Sequence, residues 1–200
     1  MALNILNKLE KDLLKFPGIG QRLARKLAIY LLTRDKEENI KFIEDLKEID
    51  IKVFRCEECF ALVESGKLCD FCRNPNREKR ILVVHNVEDY LLLSENKIFD
   101  GYYHILNGLI SPIRGITPDM LSIEKLIDRI EKRKIIEIIF ALPGTNDGLI
   151  TTLYIKNQLK ERFTELIFSK IAEGIPYGSG LSEISMQTIL TSLKNRENIQ

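Results

Sequence analysis

Cys56-Glu57-Glu58-Cys59 and, after nine intervening residues, Cys69-Asp70-Phe71-Cys72 lead directly into Arg80-Ile81-Leu82-Val83-Val84-His85. These stretches decide the architecture. The four cysteines are all that the chain contains. Each Cys-x2-Cys puts two thiolates on one tight turn, and two such turns complete a tetrahedral site for zinc. Four protein ligands leave no open position, so the expected ion, one Zn2+ per chain on Cys56, Cys59, Cys69 and Cys72, is structural and not catalytic. The competing readings are a redox pair and chance spacing. A redox Cys-x2-Cys stands singly at a helix start after a strand, a context missing here. Residues 54–76 are short and polar, so metal binding supplies the folding energy of this module. Beyond it, residues 81–84 form a β-branched run suited to a buried strand.

Downstream, residues 102–106, 135–142 and 166–172 are further strand candidates. Helical patterns over 88–95, 122–134 and 149–162 lie between them. Strands alternating with helices predict a parallel α/β sheet. A turn-rich stretch, 174–180, precedes a closing helix over 182–196. Upstream, residues 3–50 read as helical, with Leu3, Leu6, Leu9, Leu13 and Leu14 at helical spacing. Pro17-Gly18-Ile19-Gly20 interrupts, and Leu23, Leu27 and Leu31 resume the period. The expected fold is therefore a multi-module α+β chain: a helical region over 1–53, a four-cysteine module over 54–78, an α/β domain over 79–173 and a C-terminal segment over 174–200.

Composition removes several alternatives. The chain has 200 residues, 44% hydrophobic and 30% charged, which excludes a disordered composition. No apolar run reaches the length of a membrane span. Lys8, Glu10, Lys11 and Asp12 stand where a signal peptide needs its apolar region, so a cytoplasmic chain with reduced cysteines is expected. The net charge is +1, which argues against a uniformly basic surface but not against a local patch. Residues 13–34 carry Lys15, Arg22, Arg25, Lys26 and Arg34 and no acid, whereas 35–50 carry seven acids against three lysines. Such blocks fit two faces or two partners, and also ordinary solvated helix surface.

The basic block surrounds Phe16-Pro17-Gly18-Ile19-Gly20-Gln21-Arg22-Leu23-Ala24-Arg25-Lys26-Leu27-Ala28, the pattern of a helix-hairpin-helix. Gly18 and Gly20 let the backbone turn between two helices. The exposed amides of that turn and of the next helix N-terminus can meet a phosphate. Arg22, Arg25 and Lys26 extend the contact along the strand, Arg22 and Lys26 from one helix face. Leu23 and Leu27 are the expected buried side. Such binding to DNA reads phosphates and is independent of base sequence. The alternative is a glycine C-cap between two packed helices.

A helix-hairpin-helix, a four-cysteine module and an α/β domain, in that order, resemble the RecR family of bacterial recombination mediators. Three stretches carry the resemblance: residues 16–28, the cysteine block with Cys72-Arg73-Asn74-Pro75-Asn76-Arg77, and Tyr103-His104-Ile105-Leu106-Asn107-Gly108-Leu109-Ile110-Ser111-Pro112. It implies a Toprim-type α/β domain and a ring-shaped homotetramer that clamps DNA. It also implies partnership with RecO and RecF in loading the recombinase at gaps. The chain departs from the pattern where Toprim catalysts hold magnesium on clustered carboxylates. His85 stands where family members carry a glutamate. Pro143-Gly144-Thr145-Asn146-Asp147-Gly148-Leu149 replaces a motif ending in two acids, so Asp147 survives and Leu149 does not match. Gly180, Ser182 and Ser185 occupy a later acidic stretch. One acid cannot hold a catalytic magnesium, so a non-enzymatic scaffold is expected.

His85 and His104, each at or in a strand, read as hydrogen-bonded core residues, and Asp119 and Asp147 as turn or cap residues. Three functions fit these residues. The first is a DNA-binding clamp in recombinational repair. The second is a Toprim nucleic-acid enzyme, which lacks its acids at His85 and Leu149. The third is a protein adaptor whose basic helices touch no DNA.

Overall fold

A computed structural model describes residues 4–172, 174–176 and 178–195. The chain divides into two compact units, 1–53 and 54–200.

The first unit is helical. α1 (Asn4–Leu13), α2 (Gln21–Thr33) and α3 (Lys36–Lys52) follow one another, with Gly18 in the left-handed region at φ +79° between α1 and α2. Gly20 has ordinary extended backbone and open space where a side chain would stand, so the turn itself needs only the first glycine. A second break separates α2 from α3, where the sequence reading ran the helix through. Arg34 turns extended, its Nε donates to Asn39 Oδ1 at 2.6 Å, and Asn39 Nδ2 caps the Leu31 carbonyl at 2.8 Å. That answers one of the unpaired carbonyls of a helix end. Ala24 and Ala28 are the buried residues of α2, whereas Leu23 is exposed and Leu27 half-buried. The expected leucine side is therefore corrected. α2 lies against α1, and the two alanines allow close approach of the backbones. Ile40, Phe42, Ile43, Leu46, Ile49 and Ile51 leave α3 with a largely exposed apolar surface in the single chain.

The second unit opens with the cysteine module: a two-stranded hairpin, β1 (Phe54–Arg55) and β2 (Leu62–Val63), then the short α4 (Asp70–Arg73). A four-stranded sheet follows, of β3 (Arg80–Val84), β4 (Tyr102–Ile105), β5 (Glu137–Ala141) and β6 (Ile167–Lys170), connected by α5 (Val87–Glu95), α6 (Ile123–Arg133) and α7 (Asn146–Arg162). The spatial order is β4-β3-β5-β6 and every pairing is parallel, as the alternation of strands and helices predicts. Alternate residues feed two cores. Ile81, Val83, Tyr102, Ile138 and Phe140 join Leu126 and Ile130 of α6 and Ile155 and Leu159 of α7. Leu82, Val84, Tyr103 and Ile105 join Tyr90 of α5 and the four cysteines. A sheet covered on both faces explains its near-continuous apolar strands. The closing helix is shorter than its pattern: α8 (Met186–Lys194) begins at Ser185, whose Oγ accepts from Thr188 N at 3.2 Å. A 3-10 turn, Leu181–Glu183, precedes it. Residue 196 of the expected helix lies outside the described residues.

Candidate metal centre and nucleic-acid interface

The hairpin places Cys56 and Cys59 by a tight reversal. Phe60 adopts φ +66°, its N–H donates to the Cys56 carbonyl at 3.0 Å, and the Cys56 N–H donates to the Ala61 carbonyl at 2.8 Å. Cys69 caps α4 and Cys72 lies within it. The four Sγ atoms all lie within 4.8 Å of one another, with Cys59 and Cys69 at 3.5 Å, and none is in a disulfide. Metal–sulfur bonds of about 2.3 Å set sulfurs about 3.8 Å apart on a tetrahedron. The four buried cysteines are thus positioned as one metal-binding site. The Cys69 N–H also donates to Cys56 Sγ at 3.4 Å, an amide–sulfur contact suited to an anionic sulfur.

The module is joined to the sheet at β4. The Ile105 N–H donates to the Cys59 carbonyl at 3.0 Å. Phe60 meets the His104 ring edge-on, with centroids 5.8 Å apart. His104 is fully buried, and its Nε2–H is shared between Ser122 O and Ser122 Oγ, each at 3.0 Å. Burial, aided by the nearby Arg129 cation, pushes its pKa down to about 3, so it is a neutral core histidine. On α6, Arg133 Nε donates to Glu58 Oε2 at 2.7 Å and Nη2 to the Cys72 carbonyl at 2.6 Å. Arg129 and Arg133 both face the Tyr102 ring, at 5.3 and 4.6 Å from its centroid.

The carboxyl ends of β3 and β5, where the strand order reverses, carry His85 and residues 143–149. His85 is half-buried there. Its Nδ1 stands 2.8 Å from Asp89 Oδ2 without hydrogen-bond alignment, and Asn86 Oδ1 caps α5 at Asp89 N. Asp147 stands in the first turn of α7. Hydrogen bonding from Ser111 and from the Arg114 guanidinium holds its carboxyl below the usual carboxylate range. Arg114 Nη2 lies 2.8 Å away. Thr145 caps the helix through Gly148 N, and a Cβ on Gly148 would stand 2.0 Å from the Pro143 carbonyl oxygen. Leu149 is exposed. Among the described residues, only the four cysteines bring three or more potential ligands of the His, Cys, Asp and Glu type together.

In the helical unit, Gly20 caps α2 without a side-chain acceptor, which leaves its first amides open. Arg22 and Lys26 are exposed, one turn apart on the first turns of α2. Arg25 differs, since its Nη1 lies 3.3 Å from Glu10 Oε1 on α1.

Comparison with known proteins follows this division. The family description "RecR, helix-hairpin-helix" matches residues 1–49, and the Toprim domain matches residues 79–167. A recombination protein RecR of Prochlorococcus marinus subsp. pastoris is 38% identical over 97% of this chain and 96% of its own length. The chain belongs to the RecR family. The RecR proteins of Myxococcus xanthus and Amoebophilus asiaticus are 34% and 36% identical, over 97% and 90% of this chain and 98% and 89% of their own lengths. A RecR chain thus accounts for the helix-hairpin-helix, the Toprim domain with its parallel sheet and the clustered cysteines. Arg114, Arg129, Arg133 and Glu58 escaped the sequence reading. Arg114 is separated from Asp147 by 33 positions and Arg129 from Cys72 by 57, and no local pattern marks such a pair.

Proposed function

We propose that the chain is a non-enzymatic, DNA-binding clamp subunit of recombinational repair in the cytoplasm. It acts with RecO and RecF to load the recombinase at gaps. The observation that carries this reading is the uncapped start of α2 beside Gly18 and Gly20, with Arg22 and Lys26 exposed and without side-chain partners among the described residues. Open amides at a helix N-terminus favour a phosphate, and two cations one turn on extend the contact without touching bases. Arg25, already engaged with Glu10, is the lesser contributor. Assembly into a homotetrameric ring is supported by the apolar surface that α3 leaves uncovered. Module boundaries at 53/54, 78/79 and 173/174 follow the same reading. Cys56, Cys59, Cys69 and Cys72 hold one Zn2+, whose tetrahedral preference and soft-ligand chemistry fit four clustered sulfurs and which gives the module its fold. His85, Leu149 and the Arg114-bound Asp147 support a Toprim scaffold used for packing and partner contact.

The test is the double change Arg22→Ala with Lys26→Ala. Binding to single-stranded and duplex DNA is followed by anisotropy across a salt series, and solution mass by light scattering. The parent should bind with a steep salt slope and little sequence preference, because released counterions dominate the affinity. The double variant should lose detectable binding with unchanged mass and metal content. A double variant that binds as the parent does, at equal salt and mass, shows the hairpin to be a packing element.

A further inference from the structure

Arg129 is 3% exposed, a guanidinium taken almost wholly out of water. Its Nη1 donates to the Tyr103 carbonyl, and its Nη2 donates to Cys72 Sγ at 2.9 Å. Its Nε has no hydrogen-bond acceptor and stands 3.6 Å from Glu58 Oε2. Glu58 cannot balance it alone, because Arg133 and Lys132 converge on the same carboxylate. The cluster thus presents excess positive charge to the cysteine site. A buried cation needs a compensating anion close by. A neutral thiol does not supply one. A divalent ion held by four thiolates retains two negative charges, and Cys72 Sγ accepts directly from the guanidinium.

We propose that Arg129 is an outer-sphere positioning residue of the metal centre. Its donation to Cys72 Sγ withdraws charge from that thiolate and ties α6, and through Tyr103 the strand β4, to metal occupancy. The inference rests on the metal reading above and adds to it a dependence in both directions. Loss of Arg129 loosens the metal, and loss of the metal leaves Arg129 without its anion and frees α6.

The test compares the parent, Arg129→Gln, Arg129→Lys and Arg133→Gln. Arg133 contacts Glu58 and the Cys72 carbonyl but no sulfur, so it is the control. Zinc stoichiometry, zinc affinity in competition with a chromophoric chelator and the thiolate-to-cobalt charge-transfer band of the cobalt(II)-substituted protein are measured. Arg129→Gln should hold zinc about 10-fold or more weakly. Its band should move to longer wavelength, because a thiolate relieved of a hydrogen bond is a stronger donor. Arg129→Lys should fall between it and the parent, and Arg133→Gln should leave the band in place. The parent gives a second measurement that needs no variant: stripping the metal should accelerate amide exchange throughout α6. A parent that binds no thiolate-ligated metal removes the metal reading and this inference together. A parent that binds metal removes this inference alone if Arg129→Gln keeps its affinity and band, or if α6 exchange is unmoved by stripping.

Discussion

Two places in the second unit have the position of a metal site, and only one has the substance. The cysteine module gathers four sulfurs within 4.8 Å on two local turns. The carboxyl end of the parallel sheet has the location where α/β folds place ligands, but His85 and Leu149 supply no carboxylate there and Asp147 is drawn to Arg114. The difference teaches that an α/β scaffold can be complete without a cluster of metal ligands at its switch point. Thr145 caps α7, and Gly148 admits the Pro143 carbonyl. The cysteine module instead brings its own four sulfurs together and buries them in the second core beside Leu82, Val84, Tyr103 and Ile105.

The contrast predicts a descending series of effects. Cys59→Ser should be the largest, since it removes a ligand and leaves three buried thiols. Zinc should drop to well below one per chain, and residues 54–73 should lose exchange protection. The scale is set by the roughly 10–16 kcal/mol with which zinc-finger peptides bind their ion. A variant retaining full zinc would break the comparison on its stronger side. Gly148→Ala should come next. A Cβ at 2.0 Å from the Pro143 oxygen forces the loop to move, at a cost of about 1–3 kcal/mol by denaturant titration, with metal content unchanged. Asp147→Ala should be the smallest. It releases an exposed Arg114, and stability, DNA binding and zinc should all stay close to the parent values. Its carboxyl sits below the usual range, so its contribution is present above that range and lost as pH falls through the lowered value. The small difference that remains should therefore vanish in acid. A magnesium-dependent nuclease or synthesis activity that disappears in Asp147→Ala would erase the contrast altogether.

What was legible in the sequence was what is local. The Cys-x2-Cys pairs announce themselves because each turn is four residues long. The strands at 81–84 and 102–106 show because a sheet covered on both faces needs unbroken apolar runs. The face of α2 did not show. Leu23 and Leu27 have the apolar period, but Ala24 and Ala28 are what α1 covers, and side-chain size at a close helix crossing depends on the neighbour. The start of α8 was misplaced because 182–184 continue the helical pattern, while Ser185 makes the better cap. Arg114 with Asp147 and Arg129 with Cys72 were invisible for a single reason. Each pair is made by chain topology, and a lone arginine on a helix or turn looks like any solvated one.

The contact between Cys59 and β4 has a consequence for solubility. β4 is an outer strand of the sheet, and unpaired outer strands recruit other chains and seed aggregates. Here the Ile105 N–H is occupied by the Cys59 carbonyl, the Ile105 carbonyl by Ser122 Oγ at 2.6 Å, and the Tyr103 carbonyl by Arg129. The cysteine module and the start of α6 thus act as a fender along the flank of the sheet. In a cell short of metal, or one whose thiols have been oxidised, that fender would come away and the flank would lie open. The first symptom would be a sticky, insoluble chain.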